Sequence, residues 1–180
     1  MNFAWVLIWT RIESWLQKNQ PSVIQTLQPG ASEAEIQALE TALSINLPED
    51  VKLSYRIHNG QFNNDDGLID GCEFLCLQRI QEEWMIWKEL LDDNTFADTY
   101  SDPQPGIKND WWNVLWIPLT YDGSGNHYCL DLDPAQGGNF GQIITMWHDD
   151  SERAIVAPSF RDWLTDYIAG LESGERTFSE

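Results

Sequence analysis

Basic side chains are scarce in this sequence. Ten Lys and Arg stand against 29 Asp and Glu in 180 residues, a formal net charge of −19. Such a surface repels nucleic acid and membrane surfaces and steers basic proteins inward, so nucleic-acid and membrane binding are not expected. Long apolar runs are missing too: none approaches the ~18 residues that a membrane-spanning helix needs. The apolar start, Phe3 to Trp9, has no positive charge ahead of it, so no signal peptide is expected. Cysteine is sparse and odd in number. Cys72, Cys76 and Cys129 read as free thiols in a reducing compartment, which predicts a cytoplasmic protein. Also lacking are a P-loop, a G-x-G-x-x-G after a strand and a strand-to-helix G-x-S-x-G corner; Gly123-Ser124-Gly125 lies in a turn.

What is present is a core. Hydrophobic residues make up 42% of the chain, with ten Trp, so it is no disordered polymer. The length suits one domain, expected over 1–171, with a short frayed tail at 172–180. Trp5, Ile8, Trp9, Ile12, Trp15 and Leu16 recur at helical spacing, and Asn19-Gln20-Pro21 stops that helix. Ser32 with Glu35 forms a capping box for a second helix through Ile36, Leu39 and Leu43. Pro48 fits the first position of a third helix, closed by Asn59-Gly60. His58 is expected to bond locally at that helix end. Residues 61–67 form a polar loop, and Leu68–Leu77 reads as one or two short strands. Ile80, Trp84, Trp87 and Leu91 describe an amphipathic helix. Asp92–Asn113 is then an acidic loop of unusual length, and such loops are functional or mobile. Ser159 caps a last helix carrying Trp163, Leu164, Tyr167, Ile168 and Leu171.

The stretch Trp116–Pro134 organises the rest. Trp116–Leu119 is a short apolar strand, and Asp122-Gly123-Ser124-Gly125-Asn126 is turn chemistry. Alternation then puts Tyr128, Leu130 and Leu132 on one face, and His127, Cys129, Asp131 and Asp133 on the other. Pro134 ends the strand, and Gly137-Gly138 turns into a third strand at Gln142–Trp147. With the upstream Leu47-Pro48-Glu49-Asp50, Tyr55 and His58-Asn59-Gly60, and the late Phe160, Trp163 and Leu164, this stretch resembles the SUKH superfamily in its Smi/Knr (cell-wall assembly regulator) branch. The likeness covers roughly residues 3–170. It implies an α+β fold: a mainly antiparallel sheet of about four to six strands, with helices from both chain ends packed on it.

Metal and catalytic readings are weak. Asp122, Ser124 and Asn126 have the 1-3-5 spacing of a calcium loop, but His127 stands where the loop needs glycine. Cys72, Cys76, Cys129 and His127 lack the paired spacing of a structural zinc site. Asp131 with Asp133, or Trp111-Trp112 beside acids, would suit a carbohydrate-active enzyme, but such combinations arise by chance among so many acids. We therefore expect no enzyme, no cofactor and no metal. The resemblance implies a protein-binding module, as an immunity protein that neutralises a toxin of a polymorphic or contact-dependent system, or alternatively as a regulatory scaffold of cell-wall synthesis.

Charge placement agrees with a basic protein partner, such as a cognate toxin domain. Residues 61–110 hold twelve acids against three bases, and 122–153 six against one. Candidate contacts, chosen by charge and loop position, are Asp65, Asp66, Asp70, Asp92, Asp93, Asp98, Asp102, Asp122, Asp149 and Asp150. They are expected to lie on a face formed by the 61–67 and 92–102 loops and the Asp122 turn.

Overall fold

The computed structural model of the protein describes residues 3–62 and 66–178. Helix α1 (Phe3–Asn19) buries Trp5, Ile8, Trp9, Ile12 and Leu16, the stripe that its spacing predicts. Pro21 cannot continue it and instead starts the single turn α2 (Pro21–Ile24), absent from the sequence reading. Helix α3 (Glu33–Leu43) opens on the expected capping box: Ser32 accepts from Glu35 N, and Glu35 accepts from Ser32 N. Helix α4 (Glu49–Tyr55) has Pro48 at its N-cap, one position earlier than predicted, and ends before Asn59-Gly60.

Asn59 and Gly60 serve the next element instead. Asn59 Oδ1 accepts from Leu77 N at 2.9 Å, capping helix α5 (Leu77–Asp92) from outside its own segment. Only Glu73–Phe74 of the predicted 68–77 strands is one, β1; the preceding residues fold into tight bridges between Gly67 and Gly71 and between Ile69 and Cys72. The acidic 92–113 segment is not a free loop. It contains β2 (Asp102–Pro103), and Ile107 and Trp112 are buried.

The expected meander is present. Strands β3 (Trp116–Pro118), β5 (His127–Asp131), β6 (Gln142–Met146) and β8 (Ile155–Ala157) form a four-stranded antiparallel sheet in that order. Between β3 and β5, β4 (Thr120–Tyr121) leaves the sheet to pair with β1, and β7 (Glu152–Arg153) pairs in parallel with β2. Helix α6 (Phe160–Ser173) follows. With helices near both ends packed against antiparallel strands, the fold is α+β.

Both faces of the four-stranded sheet are buried. Ile117, Leu130, Ile143 and Ala157 join the large cluster with α1, α3, α4 and α6. Trp116, Cys129, Ile144 and Met146 join a second cluster with Trp87, Ile107 and Trp112. Alternation along β5 thus sorts residues between two interiors rather than between core and water.

Residues 172–178, from the end of α6 onward and expected to fray, make specific contacts. Arg11 pairs with Glu172, Arg176 Nη1 reaches both Asp70 oxygens at 2.7 and 2.8 Å, and Phe178 stacks on Trp15.

Glycine is required for two different reasons. Gly60 has φ +64°, and a Cβ there would sit 2.4 Å from Cys76 N; Gly123 has φ +86° with nothing within 4 Å. Gly123→Ala should therefore cost only the left-handed conformation, about 1–2 kcal/mol. Gly60→Ala adds a backbone clash and should cost more than about 3 kcal/mol. Urea denaturation of the two variants checks the order; equal losses would contradict the packing at Gly60.

Candidate functional site

The turn from Asp122 to Asn126 is held by its first residue. The Asp122 carboxylate accepts from Ser124 N (2.8 Å), Ser124 Oγ (2.7 Å), Asn126 N (3.0 Å) and Asn126 Nδ2 (2.7 Å). Partial burial opposes ionisation, yet these donors prevail and hold the carboxyl at about 2. Its oxygens are already occupied by N–H and O–H donors, so the loop's geometry is that of a closed hairpin turn, with Gly123 and Gly125 both at positive φ. Asn126 Oδ1 in turn accepts from His148 N at 2.9 Å and lies 3.0 Å from His148 Nδ1, tying the 148–150 turn to this hairpin.

Behind the turn lies a buried polar relay. The carbonyl of Thr120 accepts from His127 Nδ1 at 2.6 Å, which places the ring proton there and leaves Nε2 as an acceptor. Trp87 Nε1 donates to that Nε2 at 3.0 Å. Burial pushes the His127 pKa down to about 4 despite the Thr120 carbonyl and Asp122, so the ring is neutral at pH 7.

Above the relay is a groove of about 390 Å³. One wall is the stripe Glu83, Ile86, Trp87 and Leu90 of α5; the other is Phe96, Tyr121, the 123–125 turn and His148. Phe96 stacks on Trp87 with centroids 5.7 Å apart, and Ile86 is 52% exposed. Glu83 at one end is buried, and its carboxylate takes a hydrogen bond from Arg79 Nη2 at 2.8 Å. Arg79 serves Glu82 and Glu73 as well. Burial raises the Glu83 pKa against the pull of Arg79.

The candidate acids separate into groups. Asp92, Asp93 and Asp98 lie at and beyond the α5 C-terminus. Asp102 is joined to the 148–153 turn through Asp102 N to Ser151 O at 2.7 Å. Asp122 and Asp149 flank groove residues. Asp93, Asp98, Asp102, Asp122 and Asp149 are exposed. Asp92 is exposed but paired to Lys88 at 2.5 Å. Asp150 is half-buried; its Oδ1 accepts from Glu152 N and its carbonyl from Arg153. Asp70 is engaged by Arg176 and accepts from Tyr128 Oη at 3.2 Å. Asp66 is exposed, and Asp65 lies outside the described residues. Phe62, in the 61–67 loop, lies beside Gln78 and Gln81 at the start of α5, while Asp92 and Phe96 are at its far end, roughly 20 Å away along the helix.

Sequence reasoning missed the buried polar pins. Gln61, assigned to a polar loop, is buried and fully used: Nε2 donates to Thr26 Oγ1 and Asp66 O, and Oε1 accepts from Leu68 N and Phe74 N. Arg153, which no sequence pattern singled out, is also buried; it donates to the carbonyls of Asp150, Glu152 and Trp111 and lies 5.0 Å over the Trp111 ring. His58 bonds not locally but to Gln28 O and Glu13, 30 and 45 residues away. A single Gln or Arg among turn residues carries no periodic signal by which to find it.

The other chemical candidates are committed internally. Asp131 is buried and accepts from Gln142 Nε2 and Asp133 N, while Asp133 pairs with Lys108. Cys129 is buried in the second cluster, and burial raises the Cys72 thiol to about 11. Among the described residues no three His, Cys, Asp or Glu converge to hold a metal ion, and no helix is long and apolar enough to cross a membrane.

The chain is thus an α+β domain with an open groove, and its perturbed groups are mostly engaged by partners within the chain. The chain belongs to the SMI1 / KNR4 family (SUKH-1), whose model matches residues 30–166. It is 29% identical to the cell wall biosynthesis/cell cycle regulator smi1 of Schizosaccharomyces pombe, over 93% of this chain and 36% of that protein. It is 25% identical to the cell wall assembly regulator SMI1 of Saccharomyces cerevisiae, over 94% of this chain and 41% of that protein. Human F-box only protein 3 is 28% identical over 92% of this chain and 34% of its own length. The chain thus spans about a third to two fifths of these relatives.

The relay makes a pH signature. The His127 pKa of about 4 lies below the ordinary 6.5. As pH falls from 6.5 to 4 the unfolded chain takes up a proton that the folded chain refuses, so stability present above pH 6.5 is lost across that window. The loss is on the order of 3 kcal/mol. His127→Gln should be less stable at pH 7, and its deficit should shrink by roughly 2 kcal/mol at pH 4.5. Denaturant midpoints at both pH values test this; a deficit independent of pH would contradict a neutral His127.

Proposed function

We propose that this chain is a non-enzymatic regulatory module that acts by binding another protein, in the control of cell-wall synthesis. The observation that carries the reading is the distribution of the domain. It occupies a minority of two regulators named for cell-wall biosynthesis and assembly, and a similar share of an F-box protein. A unit found within proteins of such different names fits an adaptor better than an enzyme. We further propose that residues 1–171 act as one unit, that the setting is cytoplasmic, and that the partner is basic.

The charge of −19 favours a second reading, in which the partner is a cognate toxin and this chain is its immunity protein. Nucleases bind phosphate through basic surfaces, and an acidic inhibitor would be steered onto such a surface.

A domain exchange tests the first reading. With this chain in place of the matching segment of the fission-yeast relative, cells should grow under a glucan-synthesis inhibitor as they do with the native protein. Failure of a stably expressed exchange protein would reject the cell-wall role. Protection of bacteria from the product of a toxic neighbouring gene would establish the second reading instead.

Charge removal tests the acidic face. Asp92, Asp93, Asp98 and Asp149 replaced by Asn should change folding stability by less than about 1 kcal/mol, because exposed charges contribute little. Association with a bound partner should slow several-fold and become less dependent on salt between 0.1 and 1 M, over which screening shortens from ~10 to ~3 Å. Rates measured by surface plasmon resonance that ignore both salt and the substitutions would place the contact elsewhere.

A further inference from the structure

The groove between α5 and the 121–125 turn combines an apolar wall with an acidic border. Its walls are apolar and partly open: Ile86 is 52% exposed, and Leu90 and Phe96 are half-buried. Its borders are acidic. Glu83 lines one end, Asp122 adjoins Tyr121 and Gly123, and Asp149 follows His148. The cationic groups nearby are already engaged. Arg79 lies 5.7 Å from the Tyr121 ring and is shared among Glu73, Glu82 and Glu83, three carboxylates on one guanidinium. The His148 ring is 3.0 Å from Asn126 Oδ1 and 3.9 Å from Asp149.

Glu83 adds an independent observation. It is 6% exposed, and its carboxylate's one hydrogen bond among the described residues comes from Arg79, to Oε1. Oε2 has no protein donor among those residues. Oε2 is not among the buried side-chain atoms left without a partner, so it reaches solvent at the end of the apolar groove, where a cation can approach it.

We propose that this groove seats a segment of the partner protein in which a bulky apolar side chain stands beside a Lys or Arg. The proposal rests on the protein-binding reading above and names what the site takes. The apolar side chain lies on Ile86, Leu90 and Phe96. The neighbouring cation meets Glu83, in the field of Asp122 and Asp149 at the groove's border, with its methylene stem along the groove wall, as such side chains commonly lie. Phosphate-bearing ligands are disfavoured by the same acids. At about 390 Å³ the groove is near the small end of the ~300–1,000 Å³ range for ligand sites, which suits side chains rather than a large cofactor. The 123–125 turn leaves backbone open to such a segment: a Cβ on Gly123 would meet nothing within 4 Å.

The test is an NMR titration of the full 180-residue chain with three nonapeptides. Gly-Ser-Gly-Lys-Phe-Lys-Gly-Ser-Gly carries both features, Lys-Ser-Lys at its centre keeps only the charge, and Glu-Phe-Glu keeps only the apolar group. The first should shift the Trp87 indole N–H and the Gly123 and Gly125 amides, and bind at least tenfold more tightly than either of the others. Ile86→Ser changes an exposed position and should weaken the first peptide about tenfold while leaving the thermal midpoint within a few degrees. Equal shifts from Lys-Phe-Lys and Lys-Ser-Lys would mean charge attraction alone and would overturn the apolar seat. Shifts confined to other surfaces, or indifference to Ile86→Ser, would overturn the groove as the site.

The domain exchange separates this proposal from the reading beneath it. If the exchange protein supports growth and Ile86→Ser does so equally, the regulatory role stands and the groove is wrong. If the unaltered exchange protein fails while the peptide binds as expected, the groove stands and the cell-wall role is wrong.

Discussion

The four-stranded sheet has no face left for water, and the other elements answer that constraint. Its two middle strands, β5 and β6, send alternate side chains into two separate interiors. Tyr128 and Leu130 meet the cluster of α1, α4 and α6; Cys129, Ile144 and Met146 meet Trp87 and Trp112. A sheet of short strands buried on both sides needs a cover on each side. The terminal helices supply one. The other is assembled from α5 and the 92–115 segment, which has little regular structure of its own. That second cover is where buried polar anchors matter most.

Arg153 and His127 are two such anchors. Arg153 draws the 148–153 turn onto Trp111 and donates to three carbonyls that would otherwise compete poorly for partners in the interior. His127 joins β5 to α5 through Trp87 and to β4 through Thr120. Gln61 does the same on the opposite side, supplying β1 and the 66–68 backbone with the partners that a regular ladder would provide. Removing a partner from any one of these groups in a low-dielectric interior would cost more than the hydrogen bond itself gains, so each ties its segment to the rest, although Arg153 keeps one buried donor, Nε, unpaired among the described residues. The second cover is therefore rigid despite its loop-like composition, and a rigid cover can present a defined groove.

Part of the acidic surplus lies in the same region of the molecule as the groove. The α5 C-terminus, the Asp122 turn and the 148–150 turn converge there, because β5–β6 pairing sets His127 opposite Met146 and carries the flanking turns to the same end of the sheet. Charge of one sign near an apolar cleft gives fast, oriented association at modest apolar area, a combination suited to regulation more than to permanent assembly. Family membership is consistent with that use, since the relatives carry this domain as a fraction of longer chains named as regulators.

Periodicity and local capping chemistry were legible in the sequence. The stripes of α1, α5 and α6, the Ser32–Glu35 box, the β3–β5 hairpin and the sorting of β5 residues by face all follow from spacing alone, because each depends on neighbours within a few residues. The acidic character and the family likeness were equally plain. Tertiary structure alone decided the rest. It placed Phe62 about the length of α5 away from Asp92 and Phe96, stitched the 92–113 segment to β7, turned Gln61 and Arg153 from apparent surface groups into buried ties, and sent half-buried His58 to partners 30 and 45 residues away. It also set Ile86, Phe96 and the Asp122 turn around one groove. Those outcomes depend on which distant backbone groups lack partners after the helices and strands have formed. That is a property of the whole packed chain, and no local pattern of residues encodes it.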